Sequence, residues 1–263
     1  MAQDAIDGLI AAAEAAVDVA GAVIRPFFRA RLSAELKSDH SPVTIADRTA
    51  EQAMRAVLAE RFPAHGILGE EFGHDRPESR LCWVLDPIDG TRAFITGRPV
   101  FGTLVALLQD GQPLLGVIDQ PVTGERWIGA AGRKTVFRGK LGGVAGCRPC
   151  ATLGEAELSC TGPGMLVLEG DMPRWQHLAD VVRRVSWGGD CYAYGLLALG
   201  HIDVIAEVTM KLWDWAALVP VIEGAGGKIT DWSGQPLRPD GDGRVLAVGD
   251  PGLLDAALAR LAG

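Results

Sequence analysis

The stretch DPIDGT, residues 86–91, places two acids three positions apart, directly after the apolar run LCWVL. Carboxylates at the end of a buried strand are costly to desolvate unless a cation meets them. Pro87 fixes φ and forces a turn. That turn could aim Asp86, Asp89 and the Ile88 carbonyl at one point. Oxygen ligands of this kind suit a hard divalent cation such as Mg²⁺.

The next two residues add a possible anion site. Gly90 allows close backbone approach. If a helix begins at Gly90–Thr91, its free N–H groups could hold phosphate oxygens beside the cations. The competing interpretation is an ordinary Asp-Pro turn with an aspartate as helix cap.

Three further acids stand in similar settings. Glu70 follows an apolar run in LGEEFG, and Asp214 begins an apolar helix in LWDWAAL. Taken alone, Glu70 would be a solvated turn residue and Asp214 an acid favoured by the helix dipole. For Asp47 the competing interpretation is a helix capping box, because Thr44 and Asp47 in TIAD have the spacing of that motif.

The segments GEEFG, WVLDPIDGT and LWDWAAL, in this order and at these separations, resemble the Mg²⁺-dependent inositol monophosphatase superfamily. The resemblance extends over nearly the whole chain. It implies an α+β fold, a layered α-β-α-β-α sandwich of the inositol monophosphatase and sugar phosphatase type, and often a homodimer.

The resemblance also implies roles for particular residues. It implies metal ligands at Glu70, Asp86, Ile88 (through its carbonyl), Asp89 and Asp214. The threonine that helps to activate water falls on Thr91, and its acidic partner on Asp47. With Glu70, these two form the expected catalytic set. Substrate contacts are expected at Asp86, at Asp214 and at the backbone of Gly90 and Thr91, whose N–H groups would hold phosphate oxygens.

Two longer stretches, LDPIDGTRAFITGRPVFGTLVALL and GGDCYAYGLLALGHID, look most like histidinol-phosphate phosphatases. The leaving group of that substrate carries an ammonium and a protonatable imidazole. Acidic side chains near the leaving group could therefore bind it, and Asp190 and Glu207 are the candidates. The alternative for Asp190 is a helix cap after Gly188-Gly189.

Three functions follow as hypotheses. The first is a Mg²⁺-dependent phosphatase of L-histidinol phosphate, in histidine biosynthesis. The second is a phosphatase of inositol 1-phosphate or of another sugar or nucleotide. The third, from a different class, is a non-catalytic interaction protein stabilised by metal, which would have no use for a water-activating threonine.

Composition restricts the partners. The chain has 263 residues and a formal net charge of -8, and it shows no basic stripe for nucleic acid. A small phosphorylated metabolite is the expected partner, and bound metal would reverse the local charge that otherwise repels it.

No apolar run reaches the length of a membrane span. An odd number of cysteines and no basic leader predict a cytoplasmic protein. The pair Cys147 and Cys150 lacks the second pair that zinc needs.

The periodicity predicts interleaved helices and strands. Helices are expected over 6–24, from about Ala50 to Phe62, near 175–185, and over 191–199, 213–223 and 253–261. Strands are expected at 81–85, 157–161, 203–207 and 228–231, with an antiparallel meander over 101–129. The glycine-rich segment 139–146 suggests two lobes, residues 1–140 and 141–263, packed as one catalytic unit.

Overall fold

The computed structural model of the protein describes residues 3–30, 35–36 and 42–262. The first predicted helix is α1, Gln3–Ile24, and Pro26 follows it in a short 3-10 turn, so this prediction is confirmed. Helix α2, Ile45–Arg61, starts from Thr44 as its N-cap residue. Short strands β1, Glu35–Leu36, and β2, Pro42–Val43, pair antiparallel. The polar stretch LKSDHSPVT, residues 36–44, predicts a loop before α2, and its residues 37–41 lie outside the described residues.

The first large sheet has seven strands in the order β4-β3-β5-β6-β7-β8-β9. Its strands are β3 (Gly66–Gly69), β4 (Gly73–Asp75), β5 (Leu81–Asp89), β6 (Gly102–Gln109), β7 (Gln112–Gln120), β8 (Glu125–Ala130) and β9 (Val136–Arg138). Strands β3 and β5 run parallel, and every other neighbouring pair is antiparallel. The predicted meander is thus confirmed as β6 to β8.

The second large sheet has five strands in the order β11-β10-β12-β14-β13. They are β10 (Glu157–Cys160), β11 (Arg184–Trp187), β12 (Val204–Glu207), β13 (Lys228–Thr230) and β14 (Val245–Val248). The remaining helices are α3 (Thr91–Ile95), α4 (Asp171–Ala179), α5 (Asp190–Leu197), α6 (Leu212–Trp215), α7 (Leu218–Gly224) and α8 (Leu254–Leu261).

Three apolar cores hold five layers together, and the middle core spans three of the layers. Strand side chains alternate between the two faces of a sheet, so Val105 and Leu107 of β6 face α1 and α2. Leu104 and Ala106 of the same strand join α5, α6, α7 and the inner face of the second sheet. The outer face of that sheet packs against α4 and α8. The order is α-β-α-β-α, as expected, and no helix among the described residues is long and apolar enough to cross a membrane.

The helix predicted over 213–223 is wrong as a single element. It is divided into α6 and α7, with Ala216 and Ala217 between them. Pro220 has no N–H to donate to the carbonyl of Ala216, so it fits only in the first turn of a new helix.

The helix predicted near 175–185 is also corrected. Helix α4 ends at Ala179, and residues 184–187 form the exposed edge strand β11. Strands β4, β9 and β14 were not predicted. The glycine-rich segment 139–146 lies between the last strand of the first sheet and the first strand of the second. The division into lobes at residue 140 stays a prediction, because α5 to α7 pack against both sheets.

Candidate active site

The end of β5 brings its two aspartates to the same region. In a regular strand, residues three apart point to opposite faces. The register between β5 and β6 is irregular from Asp86 to Asp89, however, so the alternation is broken there. The turn is held locally, because the Ile88 N–H donates to Asp86 Oδ1 at 3.0 Å.

Asp214 enters the same region from α6. Its Oδ2 accepts a hydrogen bond from the Lys211 N–H at 2.7 Å, which fixes the short helix. One oxygen each of Asp86, Asp89 and Asp214 lies within 4.8 Å of the others. Within the described part of the chain, none of the three forms an ion pair with arginine or lysine. Three converging carboxylates are a donor set that fits a hard divalent cation.

The electrostatics of this group are unfavourable without a cation. Burial, followed by the charges of Glu70, Asp89 and Asp214, raises the pKa of Asp86 well above its ordinary value. Burial, followed by Asp214, raises the pKa of Asp89 to about 7. Burial is also the main cause that raises the pKa of Asp214 to about 7. A bound cation would reverse this penalty, because an opposite charge favours the ionised form.

Glu70 lies next to this group but is not one of its three members. It follows β3, and its N–H donates to the Leu85 carbonyl at 3.2 Å, which ties it to β5. Its charge raises the pKa of both Asp86 and Asp214, so its carboxylate lies near the cluster. The Ile88 carbonyl accepts a hydrogen bond from Thr91 Oγ1 at 3.1 Å. The metal-ligand roles of Glu70 and Ile88 stay predictions.

Helix α3 begins at Thr91, as expected, and Gly90 is its N-cap residue with φ of 85°. Gly90 is needed there for two reasons. Its φ lies in the left-handed region, and a Cβ at this position would lie 2.7 Å from Asp190 Cγ. Asp190 therefore lies directly over the turn. The phosphate contacts expected from the Gly90 and Thr91 amides stay predictions.

Asp47 makes both of the contacts that its two interpretations predict, the helix cap with Thr44 and the contact with Thr91. Its Oδ2 accepts hydrogen bonds from the N–H and Oγ1 of Thr44, at 2.8 and 2.6 Å. Its Oδ1 lies 3.4 Å from Thr91 Oγ1. Burial raises the pKa of Asp47, and the hydrogen bonds from Thr44 oppose that shift. One carboxylate thus caps α2 and faces the threonine of the DPIDGT turn.

A cleft of about 140 Å³ opens beside the cluster, and its lining includes Asp89, Asp190, Glu207 and Asp214. Asp190 is the first residue of α5, and the N-cap position belongs to Gly189, so the cap alternative is wrong. Burial, followed by Asp89 and Glu207, raises the pKa of Asp190 to about 8.

Both oxygens of Glu207 already have partners. They accept hydrogen bonds from the Thr161 N–H at 2.6 Å and the Tyr194 hydroxyl at 3.0 Å. Tyr194 is fully buried, yet it also lines the cleft. The Cys191 N–H donates to Asp89 Oδ2 at 2.6 Å. The sequence does not predict this contact or that of the Thr161 N–H, because both join a backbone N–H to a side chain far away along the chain.

A larger cavity of about 600 Å³ is lined in part by Lys211, Leu212 and Trp213. It shares Thr209 and Met210 with the cleft. Its larger volume does not make it the reactive centre, because the acids converge at the smaller cleft.

The two thiols of the C-x-x-C pair are free, and burial raises the pKa of Cys147 to about 11. The thiols therefore stay protonated, in keeping with a simple turn.

The layered fold and the buried acid cluster at the end of a central strand define a class of phosphomonoester hydrolases. The chain belongs to the inositol monophosphatase family, because the model of that family matches residues 6–262. The family is one of metal-dependent phosphatases, in agreement with the donor set of the cluster.

Relatives bear two kinds of name. The histidinol-phosphatase of Mycobacterium tuberculosis is 40% identical over 238 residues, 88% of each chain. The bifunctional phosphatase IMPL2, chloroplastic, of Arabidopsis thaliana is 44% identical over 97% of this chain and 75% of its own length. A solved inositol monophosphatase from Zymomonas mobilis is 48% identical, with a TM-score of 0.89 and full coverage of both chains.

Proposed function

We propose that the protein hydrolyses L-histidinol phosphate to L-histidinol in a Mg²⁺-dependent reaction, as a step of histidine biosynthesis. The observation that carries this proposal is the acidic lining of the cleft beside the carboxylate cluster, where Asp190 and Glu207 accompany Asp89 and Asp214. A leaving group with an ammonium and a protonatable imidazole complements such a wall. The 40% identity to a protein named histidinol-phosphatase supports the same choice.

In this proposal Asp86, Asp89, Asp214, Glu70 and the Ile88 carbonyl hold Mg²⁺. The bound cation would neutralise the carboxylates and supply Lewis acidity toward phosphate oxygens and water. Every other task belongs to side chains and backbone of this chain.

Thr91 is the proposed proton carrier. Its hydroxyl can donate to either Asp47 Oδ1, 3.4 Å away, or the Ile88 carbonyl, 3.1 Å away. When it donates to Asp47, its lone pairs are free to accept a proton from an attacking water that Glu70 also orients. As the water oxygen bonds to phosphorus and the bond from phosphorus to the leaving oxygen breaks, Thr91 Oγ1 would accept the proton of the water and pass its own proton to Asp47 Oδ1. Asp47, whose carboxylate is fixed by Thr44, would then return that proton to solvent, and the leaving oxygen would take a proton from solvent.

Substrate orientation is assigned to the rest of the cleft. The N–H groups of Gly90 and Thr91, at the start of α3, would hold phosphate oxygens. Asp190 would receive the ammonium. Glu207 would complete the acidic wall while Thr161 and Tyr194 fix its orientation.

A second candidate is the hydrolysis of inositol 1-phosphate. It is favoured by the 48% identity to a structure described as an inositol monophosphatase. Acidic groups can also accept hydrogen bonds from ring hydroxyls, so the cleft alone does not decide between the two substrates.

The deciding experiment is a substrate panel with Mg²⁺: histidinol phosphate, inositol 1-phosphate, fructose 1,6-bisphosphate and 3′-phosphoadenosine 5′-phosphate. We expect kcat/KM to be highest for histidinol phosphate, by about tenfold or more, which corresponds to about 1.4 kcal/mol. A higher value for inositol 1-phosphate would establish the second candidate. No phosphate release from any member would favour the non-catalytic binding protein.

The homodimer and the cytoplasmic location remain proposals that sedimentation and fractionation can test.

A further inference from the structure

Glu51 is a fully buried acid on α2 that the sequence did not single out. It follows Asp47 by four residues, so both side chains lie on one face of the helix. Its carboxylate accepts hydrogen bonds from the N–H groups of Glu71 at 2.8 Å and Phe72 at 3.3 Å. These residues form the turn between β3 and β4 that also contains Glu70.

The contact with the turn is close. A Cβ placed on Gly69 would lie only 1.9 Å from Glu51 Oε1. Any larger residue at position 69 would have to displace the carboxylate. Gly69 does not have a positive φ, so this proximity gives a physical reason for glycine there.

The next turn of α2 extends the contact. Arg55 donates from Nε to Glu51 Oε1 at 2.7 Å and from Nη1 to Asp75 Oδ2 at 2.8 Å. Its Nη2 donates to the Gly73 carbonyl at 2.5 Å. Glu51 and Arg55 therefore fasten α2 to the β3–β4 turn and to strand β4 beyond it.

We propose that Glu51 is a positioning residue, which fixes the turn after β3 so that the Glu70 carboxylate faces the Asp86, Asp89 and Asp214 group. This inference rests on the proposed function, in which Glu70 helps to hold Mg²⁺. Through Asp47 and Glu51, one face of α2 then sets the position of both Thr91 and Glu70. A buried ion pair by itself stabilises a protein little, whereas outer partners of metal ligands typically change metal affinity about 10–100-fold.

Two variants test the contact in different ways. Glu51→Gln replaces one carboxylate oxygen with an NH₂ group, which donates hydrogen bonds and does not accept them. One of the hydrogen bonds that the carboxylate now accepts is therefore lost. Gly69→Ala keeps the charge and displaces the carboxylate by its methyl group. We expect both to weaken Mg²⁺ binding to the metal-free protein about 10–100-fold by calorimetry. Saturating Mg²⁺ should compensate for the weaker metal binding, and a lower kcat that persists there would report the misplacement of Glu70 as the residue that orients water.

Asp203→Asn is the matched control. Asp203 is fully buried, pairs with Arg148 at 2.8 and 2.5 Å, and accepts from the Glu157 N–H at 2.8 Å. It has the same kind of partners as Glu51 but lies at the far end of the strand that carries Glu207. We expect a comparable loss of thermal stability with an unchanged Mg²⁺ constant.

The outcomes separate the two proposals. If Glu51→Gln and Gly69→Ala lower the thermal midpoint yet bind Mg²⁺ as the wild type does, the positioning role is wrong and Glu51 is structural. If the wild-type protein binds Mg²⁺ but releases no phosphate, the proposed function is wrong. The calorimetry of the variants still decides the role of Glu51 in that case.

Discussion

The carboxylate of Asp47 divides its two oxygens between two tasks: Oδ2 accepts from the N–H and hydroxyl of Thr44, and Oδ1 lies 3.4 Å from the Thr91 hydroxyl. Two interpretations that compete in the sequence are thus compatible in the structure. They still predict different effects of substitution, because the cap acts on stability and the Thr91 contact on the reaction.

Thr91→Ala should lower kcat about 10²-fold or more, in the range usual for a positioned proton-transfer group. The Mg²⁺ constant should change little, and the backbone N–H that is proposed to hold phosphate stays in place. Steady-state kinetics at several Mg²⁺ concentrations measure both quantities. Thr44→Val is a graded comparison, because it removes the hydroxyl contact that fixes Asp47 but keeps the Thr44 N–H contact. It should cost about 1 kcal/mol of stability and lower kcat by less than Thr91→Ala does.

Asp47→Asn should show both effects, a lower thermal midpoint and a defect in kcat similar to that of Thr91→Ala. The double variant should be little slower than either single variant, because residues that act as a unit are not additive. Multiplicative losses in kcat would reject the relay between Asp47 and Thr91. A loss of stability alone would leave Asp47 with only its capping role.

The sequence predicts local features of this site well and distant ones poorly. The turn at Pro87 and the start of α3 after Gly90 follow from backbone preferences within DPIDGT. In the sequence Glu51 is an ordinary helix residue, since its backbone partners Glu71 and Phe72 lie about 20 positions away along the chain.

Fold predictions failed for both local and long-range reasons. The apolar pattern over 213–223 is helical throughout, and only the missing N–H of Pro220 explains why two helices form. Strand β11 is short and exposed, so it carries no alternation of apolar and polar residues. Contacts between α2 and the β3–β4 turn depend on the packing of distant layers, which no local pattern encodes.

Activity should depend on Mg²⁺, and excess Ca²⁺ should inhibit. The site is composed of oxygen donors, and Mg²⁺ requires compact octahedral geometry whereas Ca²⁺ takes more ligands at longer distances. Phosphate release before and after exhaustive chelation, with Mg²⁺ added back, checks this prediction. Full activity in the chelated protein would contradict the metal-dependent mechanism.

The metal-free protein should become less stable as pH rises from about 5 to 8. The pKa of Asp89 and of Asp214 is about 7 in the folded protein against an ordinary value of 3.8. Between these values the folded state binds more protons than the unfolded state, so raising pH favours unfolding. We expect the thermal midpoint of protein stripped of metal to fall by more than about 4 °C, where 1 kcal/mol corresponds to about 2–4 °C.

Asp214→Asn should make that pH dependence shallower and abolish activity while the fold survives. The amide removes one charge from a group that repels itself, so the stripped variant should be at least as stable as the stripped wild type at pH 8. Asp89→Asn should behave in the same way. Near wild-type turnover in either variant at ordinary Mg²⁺ would remove that residue from the ligand set.

Asp190→Asn tests how the substrate is chosen. Asp190 lies over Gly90 and lines the cleft, and its pKa is raised by burial and by neighbouring acids. A cationic leaving group beside it would favour the ionised carboxylate and gain a charge-assisted hydrogen bond, worth about 1.5–3 kcal/mol. We therefore expect KM for histidinol phosphate to rise about tenfold or more, and KM for inositol 1-phosphate to change by less than about threefold. The two substrates serve as controls for each other, since damage to the phosphate site would affect both. Equal increases in KM would assign Asp190 to the geometry of the Gly90 turn, and an unchanged KM for histidinol phosphate would exclude it as the ammonium partner.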